Sequence, residues 1–172
     1  MREMEDNTPP TVPPTAKQKR IADFNTNHFS ALAESDNVEL NSTCQVCPAY
    51  WFLHKNKCYW WQSDHRIKNW SDSRNDCTAR NSHLLVIKDK EVLDFLTKFT
   101  QDKHYPYWIG LSLSQPENKW MWITGSQMDR NITQEPNHDE GQYCGAIRNS
   151  KILADICSIE FRWICQQDTI LI

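Results

Sequence analysis

Seven cysteines, at positions 44, 47, 58, 77, 144, 157 and 165, are the residues of this 172-residue chain best suited to bond-forming chemistry. Thiolates hold zinc, exchange disulfides or pair as structural bridges, and spacing separates these uses. Cys44-Gln45-Val46-Cys47 has zinc-knuckle spacing, yet no second C-x-x-C and no H-x-x-x-H follows to complete four ligands. A thioredoxin-type redox pair needs a strand before it and a helix after it, whereas Cys47-Pro48 leads into an aromatic run. The remaining use is an oxidised framework, in which an odd count leaves one thiol for a bond between chains. Three Asn-x-Ser/Thr sequons, at Asn41, Asn69 and Asn131, favour the same secreted or cell-surface context.

Other chemistries find little support. The six His, at 28, 54, 65, 83, 104 and 138, make no metal spacing and pair with no nucleophile, and no Ser/His/Asp arrangement is readable. An enzyme is not expected. Four Gly, at 110, 125, 141 and 145, form neither G-x-G-x-x-G nor a P-loop. A net charge of -3 and a pI of about 6.1 give no electrostatic case for nucleic acid. No 18 apolar residues run together, and residues 1–20 lack the apolar core of a signal peptide.

Two materials make up the chain. Residues 1–43 hold Pro9, Pro10, Pro13 and Pro14, then Lys17-Gln18-Lys19-Arg20, and no Trp or Cys. Such a segment buries too little apolar area to offset an ordering cost of roughly 1–2 kcal/mol per residue, so it is read as a disordered tail or stalk. A weak helical pattern lies over Ile21–Ala33. Residues 44–167 form the domain and 168–172 a short C-terminal tail.

Within the domain, Tyr50–Leu53 and Lys57–Trp61 read as a hairpin around His54-Lys55-Asn56. Trp70, Ser73, Cys77 and Ala79 give a helix over about 70–80, with Trp70 and Cys77 inward. His83–Ile87 reads as a buried strand. Asp89 then caps a helix carrying Val92, Leu93, Phe95, Leu96 and Phe99. Tyr107–Leu111 and Trp120–Ile123 are strands, and Thr124–Gln142 is a long polar loop of the kind that carries function. Short strands follow at 143–147, 152–154 and 161–165. The order predicts an α+β domain with antiparallel sheet.

These residues carry a wider pattern. Cys47-Pro48-x-x-Trp51, Trp70-x-x-Ser73-x-x-x-Cys77, Trp108-Ile109-Gly110-Leu111, Trp120-x-Trp122-x-x-Gly125 and Cys144…Cys157…Trp163-Ile164-Cys165 together resemble a C-type lectin-like domain of the long form. Lys57-Cys58-Tyr59-Trp60, Ser82-His83-Leu84-Leu85 and Phe161-Arg162-Trp163-Ile164-Cys165-Gln166 make it similar to killer-cell lectin-like receptors of subfamilies F and B. The resemblance implies two helices and small antiparallel sheets stapled by Cys47–Cys58, Cys77–Cys165 and Cys144–Cys157. Cys44 is left for an inter-chain bond in a dimer. It places Trp70, Trp108, Trp120, Trp122 and Trp163 in the core, with Trp60 and Trp61 on opposite faces of their strand.

The same resemblance raises a question of calcium. Glu135-Pro136-Asn137 matches the triplet that supplies calcium and sugar ligands in calcium-dependent lectins of this fold. Calcium takes 6–8 oxygens. Here Gln142-Tyr143 replaces the acidic pair before Cys144, and Leu153-Ala154-Asp155 replaces W-N-D, with Asp155 displaced by one residue. The alternative ligand set is Glu135, Asn137 and Asp155, with calcium as its cofactor. Asp139 and Glu140 substitute only if the loop folds differently.

The expectation is therefore a natural-killer-type surface receptor that binds a protein ligand on another cell, without calcium and without any cofactor. Its contacts would come from Arg130, Glu135, Asn137, His138, Asp139, Glu140, Tyr143, Arg148 and Lys151. The rival is a calcium-dependent carbohydrate-binding lectin. The related receptors are type II membrane proteins. Lys17–Arg20 would suit the cytoplasmic flank of a membrane helix that this sequence lacks, as a splice variant would.

Overall fold

The computed structural model describes residues 43–61, 64–100 and 104–172. The tail expected over 1–43 (Thr43 excepted), the helical pattern at Ile21–Ala33 and the Asn41 sequon lie outside the described residues. Among the described residues, two helices and ten strands follow in chain order: β1 (Gln45–Val46), β2 (Phe52–His54), β3 (Lys57–Trp61), α1 (Trp70–Ala79), β4 (His83–Leu84), α2 (Lys90–Thr100), β5 (Tyr107–Ser114), β6 (Lys119–Trp122), β7 (Tyr143–Arg148), β8 (Lys151–Ile156), β9 (Arg162–Asp168) and β10 (Ile170–Leu171). The main sheet runs β2-β3-β9-β5-β7-β8, with β4 beside β9 and β6 beside β5.

Both helices start at side-chain caps. Asn69 Oδ1 accepts from Asp72 N at 2.8 Å at the start of α1, and Asp89 Oδ1 accepts from Val92 N at 2.9 Å at the start of α2. On α1, Ser73 and Cys77 are buried and Trp70 is half-buried. On α2, Val92 and Leu96 enter the main core, with Leu93 and Phe95 against it. The expected core Trp residues behave as such: Trp108, Trp163, Trp120 and Trp122 are buried, and Trp70 packs on the cluster that holds Trp108 and Trp163. Trp60 and Trp61 are each half-buried, Trp60 5.9 Å from Trp163 and Trp61 stacked on Phe52 at 4.1 Å.

Large polar-tipped rings in a core need partners for their N–H groups. Trp70 Nε1 donates to Ile109 O at 2.8 Å, and Trp108 Nε1 to Lys68 O at 3.0 Å. Trp163 Nε1 donates to Asp76 Oδ2 at 3.0 Å, which also accepts from Arg80 Nε at 2.7 Å. Burial pushes the Asp76 carboxyl up, but the hydrogen bond and charge of Arg80, the Trp163 N–H and the Lys68 ammonium outweigh it and hold the group below the usual carboxylate range. Arg80 also lies over the Trp60 ring, 3.9 Å from its centre.

Three disulfides staple this frame as the resemblance implied, with Cα–Cα distances of 5.5 Å (Cys47–Cys58), 5.5 Å (Cys77–Cys165) and 5.0 Å (Cys144–Cys157). Gly110 lies where β5 passes under Leu84: a Cβ there would meet Leu84 O at 2.9 Å and the Ile123 side chain at 3.0 Å. Gly145 is similarly pressed, with its Cβ position 2.7 Å from Leu111 Cβ.

The structure differs from expectation in three places. Only His83–Leu84 of the run 83–87 joins a ladder, because Val86 N donates to the Gln166 side chain and Leu85 O accepts from Gly110 N. The run stays buried as it crosses between strands. The sheet is not wholly antiparallel, since β5 and β9 pair in parallel through Tyr107↔Arg162 and Trp108↔Trp163. The five residues expected as a short tail, 168–172, are paired: β10 runs antiparallel to β1, and Cys44 and Ile172 exchange backbone hydrogen bonds at 2.9 and 3.0 Å.

Candidate recognition site

Between β6 and β7 the chain runs through residues 123–142 with no helix or ladder strand, only an isolated bridge between Met121 and Gln127. Polar composition and four closely spaced turn-forming residues, Gly125, Pro136, Asn137 and Gly141, leave it without either period of regular structure. It is held by separate anchors. Met128 is buried, and its N–H donates to Trp120 O at 3.0 Å. Asp129 Oδ1 accepts from Asn131 N at 2.8 Å, closing a turn that exposes Asn131. Pro136 is buried. His138 lies between Trp120 and Tyr143, its ring centre 5.8 Å from each. Gln115 Nε2 donates to Gly141 O at 3.3 Å.

The Glu135-Pro136-Asn137 triplet forms a ridge between two open hollows. One, of about 510 Å³, is walled by Trp120, Arg130 and His138. The other, of about 520 Å³, is walled by β8 residues from Lys151 to Ala154. A third hollow of about 690 Å³ lies between the β5–β6 turn and His138, Asp139 and Glu140. Eight of the nine residues expected at the recognition surface thus come together, seven on hollow walls and Tyr143 through its contact with His138. Arg148 lines none of the three; it stands exposed opposite Lys151 at the β7–β8 turn. That turn has Asn149 and Ser150 at φ 48° and 65°, as a two-residue hairpin connection of the mirror-image type requires.

Sequence reasoning missed Asn118, Gln134 and the wall-forming side of Trp120. The break between two aromatic strands at Gln115–Asn118 was the available signal, because a hairpin tip brings its turn residues to whatever lies beside the strand ends.

The charges of the ridge are already engaged. Arg130 Nη2 donates to Glu135 Oε2 at 2.9 Å; the Arg130 side chain is 79% exposed and that of Glu135 26%. Asp155, the third member of the alternative metal set, lies on β8 opposite Cys144, where its Oδ1 accepts from Ile156 N at 2.8 Å. Asp139 and Glu140 are exposed. Among the described residues, no three His, Cys, Asp or Glu gather closely enough to hold a metal ion.

The other singled-out residues lie away from the ridge. Cys44 is exposed and outside the three disulfides. Asn69 is half-buried, and besides capping α1 its Nδ2 donates to Asp72 Oδ2 at 3.0 Å. No helix among the described residues is long and apolar enough to cross a membrane.

Comparison with known proteins agrees with this architecture. Residues 66–167 match the model of the lectin C-type domain. Human killer cell lectin-like receptor subfamily F member 1 is 37% identical over 121 residues, which are 70% of this chain and 51% of that protein. Mouse killer cell lectin-like receptor subfamily B member 1B allele A is 30% identical over 159 residues, covering 92% of this chain and 67% of that protein. The chain spans about half the length of the subfamily F member 1 relatives it matches. Among solved structures, the cow C-type carbohydrate-recognition domain of CD23, crystallised in the presence of a GlcNAc2Man3 oligosaccharide, superimposes with a TM-score of 0.64 at 27% identity, over 74% of this chain and 99% of that one. The carbohydrate-recognition domain of mouse scavenger receptor C-type lectin shares the fold, with a TM-score of 0.61 at 24% identity over 73% of this chain and 99% of that one. A matched domain model, the three staples and the Trp frame together show that this chain belongs to the C-type lectin domain family, where it is similar to killer-cell lectin-like receptors of subfamilies F and B.

Proposed function

We propose that this domain is a recognition module of a cell-surface receptor and binds a protein ligand without calcium, through the 124–142 loop and the β7–β8 edge. The observation that carries this reading is the Arg130–Glu135 ion pair, which turns the triplet's carboxylate toward a guanidinium. With Asp155 also occupied by its neighbouring backbone, the donors of the alternative set do not fit an ion that takes 6–8 oxygens. The hollows, flanked by Trp120, His138 and exposed Arg130, offer the aromatic and Arg anchors inside a polar rim that protein interfaces use. The relatives named receptors support the same role. In this reading Cys44 links two chains, and Asn131, exposed at its turn, carries a glycan, as do Asn41 and Asn69.

The cow CD23 domain, recorded with an oligosaccharide, favours a second reading in which Glu135, Asn137 and Asp155 serve a calcium-dependent lectin. Surface plasmon resonance separates the two. The chain is passed over a panel of immobilised C-type lectin-like ectodomains, in calcium and in chelator, beside a glycan array. Binding to an ectodomain that survives chelator and is lost when Arg130, Glu140 and Arg148 are all charge-reversed is the expected result. A micromolar calcium isotherm abolished by Glu135→Gln, with chelator-sensitive glycan binding, would overturn it.

A further inference from the structure

A second hollow region lies elsewhere in the domain and shares no wall with the three beside the loop. It has a volume of about 250 Å³ and lies where the chain enters α1, β5 and β9, between Ile67, Tyr105, Pro106, Phe161 and Arg162, with His65 and Glu160 also on its lining. Its walls are mostly apolar, and Ile67 and Tyr105 are each about half exposed.

Arg162 makes this hollow unusual. The residue is only 7% exposed. Its guanidinium carbon lies 4.2 Å from the centre of the Tyr105 ring, a stacked cation–π contact. Among the described residues, no carboxylate, carbonyl or hydroxyl accepts a hydrogen bond from its side chain, and it forms no ion pair. The carboxylate of Asp64, close by in sequence to the lining, is bound instead to Arg66 at 2.8 Å. A guanidinium carries five N–H donors and stays charged at every physiological pH. Among the described residues none of its nitrogens is buried without a partner, so the guanidinium keeps contact with solvent at the hollow, where an anion placed against it gains a charge-assisted, two-pronged contact.

We infer that this hollow is a binding site for a small organic monocarboxylate, with Arg162 holding the carboxylate and Tyr105, Phe161 and Ile67 covering an aryl or branched-alkyl body. Three features select this class. The guanidinium, whose donors are open to solvent at the hollow, suits an anion, and the apolar walls suit a hydrophobic body attached to it. The volume admits a fragment-sized molecule and falls short of the roughly 300–1,000 Å³ of drug-sized pockets. Glu160, exposed on the lining, opposes a second negative charge and so favours a monoanion over a phosphate or dicarboxylate. The inference is independent of the recognition loop.

The test is an NMR titration of the full disulfide-bonded chain, ¹⁵N-labelled, with phenylacetate and with its neutral isostere phenylacetamide. Phenylacetate is expected to shift the Ile67, Tyr105 and Phe161 amides saturably, with a Kd of about 1 mM, as befits a ligand of its size. The amide should bind at least about 10-fold more weakly, since it lacks the charge Arg162 would meet. Arg162→Gln should remove the difference between acid and amide, and Glu160→Gln should tighten phenylacetate severalfold. Should Arg162→Gln fail to fold, Tyr105→Leu on the exposed wall serves in its place and should weaken phenylacetate. Equal binding of acid and amide to the unaltered chain, shifts centred on other residues, or no saturable shift would overturn the assignment.

Discussion

The α1–β3–β9 side of the domain and the 123–142 segment both use aromatic residues, but to opposite ends. In the frame, the indole N–H groups of Trp70, Trp108 and Trp163 are each tied to a specific oxygen, and Cys77–Cys165 joins the helix to the strand beneath it. Each ring there has one orientation that satisfies both its apolar body and its polar tip. In the loop, His138 rests between Trp120 and Tyr143 with its Nδ1 hydrogen-bonded to the carbonyl of the next residue, Asp139, at 2.9 Å, and Arg130 and Glu135 meet in an exposed pair worth about 0–1 kcal/mol. The contrast separates side chains that fix the fold from those that do not: the rings of the frame are over-determined, whereas apart from its buried anchors, Met128 and Pro136, the loop's side chains have few partners each.

If that division is right, cutting the frame's covalent tie should have the largest effect. Cys77→Ala with Cys165→Ala releases an 88-residue loop and is expected to cost on the order of 4–5 kcal/mol in the chain-entropy account, measured by urea unfolding of oxidised protein. Gly110→Ala comes next: the new methyl would press on Leu84 O and Ile123, so about 1–3 kcal/mol should be lost by the same measurement. A loss below about 0.5 kcal/mol would show that the crossing of β5 under Leu84 yields easily.

Asp76 gives a test through pH. Its carboxyl is held below the ordinary value in the folded chain, so the stability it adds is complete above the unfolded value of about 3.9 and drains away as pH falls through the lower folded value. Asp76→Asn should therefore be less stable than the unaltered chain at neutral pH, by about 1–2 kcal/mol. The gap should narrow below pH ~4; a gap constant down to pH 2 would remove the Arg80 and Trp163 contacts from the account. The smallest stability effect is expected from the loop. Arg130→Ala should shift unfolding by less than about 0.5 kcal/mol, yet reduce ligand binding in the resonance assay. A larger loss of stability would place the pair within the frame.

The parts legible in the sequence were those that depend on short-range pattern. The cap at Asp89, the hairpin at Tyr50–Trp61 and the irregularity of 124–142 all follow from residues near one another in the chain. Pairing of the six bridged cysteines came from resemblance, since spacing alone allows 15 arrangements. The unreadable parts depend on what comes from far away. Nothing local in Leu85–Val86–Ile87 announces that the Gln166 side chain, 80 residues on, will take its backbone N–H from a ladder. Arg130 and Glu135 are five apart in a segment with no period, so no helical or strand rule predicts their meeting. Arg162 reads as an ordinary strand charge until the fold stacks it on Tyr105 beside an apolar hollow.

The pairing of β1 with β10 sets how the domain would bear a mechanical load. Tension applied at Thr43, with the opposing grip on the 123–142 loop, first reaches the backbone bonds that tie Cys44, Gln45 and Val46 to Ile170–Ile172. So short a ladder peels open like a zipper, lengthening the segment before Cys47 by a few residues. The pull then arrives at Cys47, whose bond to Cys58 passes it into β3 and, across five paired residues, into β9 at the centre of the sheet. The domain thus has a yielding first stage followed by a covalent stop, and slack is taken up before the 123–142 loop is strained.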